Sequence, residues 1–105
     1  MVATPAQGEI WWAETEDKRR PVLVVTRSEA IPALSWIVVA PVTRTVRGIP
    51  TEIALGPEEG LAISSAASFD IIQPIRRSFL TEQVGRLPES RCGEVCRALA
   101  ALADC

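Results

Sequence analysis

Arg19-Arg20-Pro21-Val22-Leu23-Val24-Val25 and, after a connector, Trp36-Ile37-Val38-Val39-Ala40-Pro41-Val42-Thr43 decide how this chain folds. Each stretch holds an apolar run rich in β-branched residues, which favours extended backbone. Neither run alternates with polar residues, so each reads as a strand covered on both faces. Proline has no N–H to give to a ladder. Pro21 is therefore expected at the start of a strand over Val22–Thr26, and Pro41 is expected to end a strand over Trp36–Ala40. The two strands are bracketed by an arginine, Arg20, and a hydroxyl, Thr43.

Outward from this pair, Glu9–Ala13 reads as a preceding strand and Glu14–Lys18 as a short polar loop. Met1–Gln7 reads as a loose tail. Downstream, 43–50 is a basic, polar loop, and Glu52–Leu55 alternates like a half-exposed strand. Gly56-Pro57-Glu58-Glu59-Gly60 is a strong turn signal. Ala66–Ile72, ended by Pro74, reads as a strand, Arg77–Leu80 as one helical turn, and Glu82–Leu87 as a last strand. Pro88 opens a helix over Glu89–Ala103, favoured by its alanine content. Cys92, Val95, Cys96, Leu99 and Leu102 recur along it as one apolar stripe. Short strands, frequent turns and one terminal helix predict a mainly β (α+β) fold, a small, strongly bent β-barrel with a C-terminal helix packed on it. The length of 105 residues suits a single domain over 1–105, and a dimer would help so small a core.

A net charge of −2 argues on its face against nucleic acid. The cations nevertheless cluster, as Lys18-Arg19-Arg20, Arg44 with Arg47, and Arg76-Arg77, and a fold that gathered them would carry a positive patch. Histidine is absent, which removes the common zinc sites and every histidine-based catalytic scheme. The three cysteines, Cys92, Cys96 and Cys105, are odd in number and confined to the last segment, so a disulfide framework is not expected. Cys92 and Cys96 read as buried apolar thiols rather than a metal pair. No metal and no cofactor are expected. Neither a leader nor an apolar membrane span is visible, so a soluble, cytoplasmic protein without membrane contact is the expectation.

A guanidinium is a rigid fork that matches two phosphate oxygens, and Pro21 fixes the backbone beside Arg20. A hydroxyl at Thr43 can donate to a phosphate oxygen. RNA cleaved through its own 2′-hydroxyl needs a base, an acid and a clamp on phosphate, and can dispense with a metal and with a protein nucleophile. Glu14, Glu16 and Asp17 precede Arg20 but read as solvated loop charges. Strand parity does not say whether Arg20 and Thr43 share a face. Trp11, Trp12 and Trp36 can stack bases, although at least two of them fit core or dimer contacts better.

The ordered set Gly8-Glu9-Ile10-Trp11-Trp12, Arg19-Arg20-Pro21-Val22-Leu23-Val24-Val25 and Val39-Ala40-Pro41-Val42-Thr43 resembles the MazF/PemK family of toxin ribonucleases. The resemblance continues through Arg47-Gly48-Ile49-Pro50-Thr51-Glu52, Gly60-Leu61, Ser65, Phe69-Asp70-Ile71-Ile72, Val84-Gly85-Arg86-Leu87 and the terminal helix. It implies an SH3-like, CcdB/PemK-type barrel and a homodimer. It implies metal-independent cleavage of single-stranded RNA at short sequences, leaving a 2′,3′-cyclic phosphate and a 5′-hydroxyl. The family's catalytic arginine falls on Arg20 and its catalytic threonine on Thr43. RNA-contacting candidates are Lys18, Arg19, Arg27, Arg44, Thr45, Arg47, Asp70, Gln73, Arg76 and Arg77, since Asp, Gln, Thr and Arg side chains read unpaired bases on their edges. A MazE-like antitoxin would bind the same groove, with DNA contacted only through it. The loop between the first two strands is short, Ala66-Ala67-Ser68 follows Ser65, and Gln73-Pro74 replaces a common threonine. The alternative is a noncatalytic protein-binding toxin on the same fold, of the gyrase-poison type, or an RNA-binding adaptor.

Overall fold

A computed structural model describes residues 4–103. Seven strands form one curled antiparallel sheet: β1 (Glu9–Glu14), β2 (Arg19–Val24), β3 (Trp36–Thr43), β4 (Glu52–Leu55), β5 (Ser65–Ser68), β6 (Gln73–Arg76) and β7 (Leu80–Arg86). The order across the sheet is β4-β5-β3-β2-β1-β7, and β6 pairs with the first half of β3. Among the described residues the one α-helix, α1 (Gly93–Leu102), follows a 3-10 turn over Glu89–Arg91. The sequence predicts this strongly bent, barrel-like β architecture with a C-terminal helix; the sheet curls into a half-barrel, with β4 and β7 as its edges.

β3 is the hinge of the sheet. It pairs β6 from Trp36 to Val39, β2 from Val39 to Pro41, and β5 at Val42 and Thr43. Pro41 therefore lies inside the strand, not at its end. Pro21 likewise lies inside β2, opposite Trp12. Its missing N–H costs no ladder bond toward β3, because that ladder stops one residue away at Val22↔Pro41. The β1–β7 pairing shifts register at Ile10/Trp11 and again at Trp12/Ala13, and such bulges bend a sheet.

The unbroken apolar run of β2 is split between two cores. Leu23 and Val25 join Ile10, Ala40, Ile53, Phe69, Leu87, Val95 and Ala98. Val22 and Val24 face the other way, onto Trp11, Ile31, Ile37, Val39 and Leu80. All four residues of the run, Val22 to Val25, are buried, as the lack of alternation predicts. The 3-10 turn over Pro57–Glu59 crosses β7 backbone to backbone. A Cβ on Gly85 would run into the Glu59 carbonyl, and Gly60, at φ +98°, would meet Val84. Only glycine permits this approach at either position.

Several sequence expectations change. The segment predicted as one strand over Ala66–Ile72 is a short β5, a 3-10 turn over Phe69–Ile71 and then a new strand, β6, that contains Pro74. Of the tail, residues 1–3 lie outside the described part, but Gln7 is not loose. Its N–H donates to Ser28 Oγ at 2.9 Å, its side chain donates to the Val25 carbonyl at 2.8 Å, and Pro5 is buried. The helix buries Val95 and Ala98 against β4 and the Phe69–Ile71 turn. Cys96 stands about 100° round the helix from Val95 and is exposed, and Cys92 is half-buried, so the thiols are not core residues. Cys105 lies outside the described residues.

Candidate functional site

The alternation of β2 sends its two arginines to different surroundings. Arg19 lies over Trp12, with its Cζ 4.2 Å from the ring centroid. Its guanidinium reaches Glu82 at 3.4 Å and Glu14 at 3.7 Å. These contacts follow from register, because Glu14 faces Arg19 across β1–β2 and Trp12 faces Glu82 across β1–β7. Glu14 also accepts the Thr81 hydroxyl. Arg19 is thus a cation already matched by carboxylates.

The Arg20 side chain is exposed and makes no hydrogen bond or ion pair among the described residues. It lines a cavity of about 300 Å³ with Lys18, Thr15, Trp36, Gln73 and Phe79, over an apolar floor that includes Val22 and Val39. Among the described residues no carboxylate lines this cavity. Its two cations give it a positive potential of the kind that attracts anions.

Thr43 ends β3 and is half-buried, and its hydroxyl accepts the Thr45 N–H at 3.1 Å. It lines a second cavity, of about 580 Å³, with Arg19, Arg44, Ser65 and the segment 60–63. Continuing the β2–β3 register two residues past Val22↔Pro41 would set Arg20 across from Thr43. The β2–β3 ladder stops short of that pair, and Val42 and Thr43 are held by β5 on the opposite edge of β3. The two residues therefore sit at the same end of neighbouring strands and line different cavities.

The structure gathers some of the RNA-contacting candidates and disperses others. Lys18 and Gln73 join Arg20. Arg76 lies over Trp36 at 5.1 Å, and with Arg77 lines a third cavity beside Thr4, Ser35 and Ser78. Arg77 is tied by its Nη1 donating to the Ile31 carbonyl at 2.9 Å. Arg44 sits with Thr43, while Thr45 and Arg47 lie in the exposed loop 44–51. That loop is braced by Glu52, which accepts the N–H groups of Arg47 and Gly48. Asp70 accepts the Thr51 hydroxyl at 2.8 Å. Arg27, in the connector before β3, joins none of the three cavities.

With this geometry in view, the profile of the family described as PemK-like, MazF-like toxin of type II toxin-antitoxin system matches residues 6–103. The chain belongs to that family. It is 40% identical over 107 residues to the probable endoribonuclease MazF5 of Mycobacterium tuberculosis, a match covering 100% of this chain and 98% of the relative. The solved structure of M. tuberculosis toxin MazF-mt6 superposes with a TM-score of 0.84 at 38% identity, over 91% of this chain and 96% of that one. A MazE-MazF structure from Deinococcus radiodurans superposes with a TM-score of 0.78 at 25% identity, over 96% of each chain.

Within this member of the toxin family, the structure adds groups that the sequence did not single out. Thr15 and Phe79 stand beside Arg20, together with Trp36, one of the three indoles the sequence offered for base stacking, and Glu82 neutralises Arg19. Glu82 gave no signal, since β7 pairing brings it from 63 residues away.

Proposed function

We propose that this chain is the toxin of a type II toxin–antitoxin pair and acts as a sequence-specific endoribonuclease on single-stranded RNA. The carrying observation is its similarity, along its whole length, to a probable endoribonuclease. The local geometry supports it: Arg20 is exposed, unpaired among the described residues, and flanked by Lys18 in a cavity free of carboxylates. The 2′-oxygen of the RNA attacks the adjacent phosphorus, the bond from phosphorus to the 5′-oxygen breaks, and the proton lost from the 2′-hydroxyl is balanced by one gained at the 5′-oxygen. The products are a 2′,3′-cyclic phosphate and a 5′-hydroxyl, and the step uses no metal. Arg20 grips the non-bridging oxygens as negative charge builds on the phosphorane, and the Thr43 hydroxyl donates to the same group. The phosphate lies over the ends of β2 and β3, where the strands diverge. Lys18, Gln73 and Arg76 contact the strand on the Arg20 side, and Arg44 on the Thr43 side.

The working form is a homodimer of this single domain in the cytoplasm. A MazE-like antitoxin covers the RNA-binding face, and DNA is met only through that partner. No described helix is long and apolar enough to cross a membrane.

Purified protein mixed with total RNA in a chelator tests this reading. Discrete cuts with cyclic-phosphate ends are expected, and Arg20→Ala or Thr43→Ala should slow them about a hundredfold or more, as loss of one transition-state donor does. RNA left intact by a folded dimer would replace the nuclease with the noncatalytic binder.

A further inference from the structure

We propose that Trp36 is the platform on which one unpaired base of the substrate stacks, next to the phosphate held by Arg20, and that the Gln73 amide contacts the edge of that base. This rests on the endoribonuclease reading above and adds a specificity-determining residue to it.

Trp36 is 50% exposed, an unusual position for an indole in a chain whose Trp11 is 3% exposed. It lines the same cavity as Arg20, Lys18 and Gln73. Its register partner on β6 is Arg76, whose guanidinium lies 5.1 Å from the ring centroid. Bases stack on aromatic rings and on arginine planes alike, so the Trp36–Arg76 pair is a surface that a base extends.

The molecule carries its own control for this reading. Trp12 and Arg19 make a second stack, at 4.2 Å, but there the guanidinium is matched by Glu14 and Glu82, and Trp12 is half-buried. That stack is closed by its own carboxylates. Arg76 has no ion-pair partner among the described residues, and no carboxylate lines the cavity on the Trp36 side. Two unpaired cations for phosphate, an open indole for a base and an amide with both donor and acceptor for a base edge are together the chemistry of one nucleotide. Gln73 makes no side-chain hydrogen bond among the described residues, so both functions of its amide are available.

A set of short single-stranded RNAs, each abasic at one position, tests the proposal by fluorescence anisotropy in the Arg20→Ala protein, whose cleavage should be about a hundredfold slower than the native. With Trp36 present, one abasic position should weaken binding about tenfold or more, the worth of one stacked base. With Trp36→Ala that penalty should vanish at that position alone, and with Trp36→Phe it should persist. Abasic penalties identical with and without Trp36 would overturn the proposal. Cleavage of unmodified RNA by the native protein is scored in parallel. Native cleavage with an unchanged abasic profile removes the Trp36 platform and leaves the nuclease standing, whereas absent cleavage and absent binding remove both.

Discussion

Arg20 and Arg91 show the same side chain put to opposite uses. Arg91, a quarter exposed, donates to both oxygens of Glu94 at 2.7 and 2.9 Å and to the Ala54 carbonyl at 2.7 Å. It also pairs at 3.1 Å with Glu59, a carboxylate only 3% exposed whose other oxygen accepts the Gly56 N–H at 2.7 Å. The Glu59–Arg91 contact is ionic, since that Glu59 oxygen has no well-aligned hydrogen bond. Through Arg91 the terminal helix is fastened to β4 and to the turn over Pro57–Glu59. Arg20 has none of this and stays available to an outside anion. The difference lies in where the fold places carboxylates: among the described residues it pairs two with Arg91 and none with Arg20.

The comparison breaks hardest if the arginines are removed one at a time. Arg91→Ala leaves the Glu59 carboxylate buried and unmatched. A fully buried pair broken this way costs 3–5 kcal/mol, and the partial exposure of Arg91 lowers the expectation to about 2–3 kcal/mol. In a domain of this size that is a fall in Tm of about 10 °C or more. Arg20→Ala, which removes a side chain with no ion pair among the described residues, should leave Tm almost unmoved. Thermal melts of both variants read this directly, and equal losses of Tm would erase the distinction between a structural and a receptive arginine.

A smaller effect follows from pH. The hydrogen bond from Arg91 holds the Glu94 carboxyl below its ordinary value of 4.5; burial opposes this, and the charges of Arg91 and Arg97 reinforce it. The same bond raises Arg91, with burial again opposing. A carboxyl with a lowered folded pKa binds fewer protons in the folded state. Its contribution is therefore complete above its ordinary value and fades as pH falls through the folded one. Glu94→Gln should cost about 1 kcal/mol at pH 7 and less at pH 3, which lies below the ordinary carboxyl value, because protonation progressively removes the stabilisation due to the charged form. Urea melts at the two pH values measure it; a deficit that does not shrink on acidification would show that Arg91 does not depend on this charge.

What was legible in the sequence tracks what is local. The apolar runs of β2 and β3 announced themselves, because a strand buried on two faces must be apolar at every position. The Glu52–Leu55 alternation gave β4 at its observed bounds. β6 was hidden because Gln73-Pro74 carries neither alternation nor an unbroken apolar run, and a proline normally argues against a strand. Pro74 is tolerated there, opposite Val38 on β3, in a strand with one ladder only. Membership of the toxin family was legible from the ordered motifs. The fate of each cation was not: Arg19 and Arg20 are adjacent, and only the distant pairing of β1 with β7 brings Glu82 to one of them. Cys96 misled because a stripe of apolar side chains fixes a helix face only to within a residue, and Val95 with Ala98 took the contact.

That adjacency permits the finest test of the contrast between matched and unmatched cations. Binding of a single strand releases counterions, and the salt slope of log K changes by about 0.7 for each phosphate neutralised. Arg20 has no ion-pair partner among the described residues, so its contact with phosphate should count fully, and Arg20→Ala should flatten the slope by about that amount. Arg19 already has Glu14 and Glu82 as counter-charges, and an RNA phosphate would have to displace them. Arg19→Ala should leave the slope unchanged, and any loss of affinity should be uniform across salt concentrations. Titrations of short RNA from low to physiological salt separate the two. Equal flattening in both variants would mean that RNA pulls Arg19 off its carboxylates, and the closed stack on Trp12 would then be a second nucleotide contact rather than a brace between β1, β2 and β7.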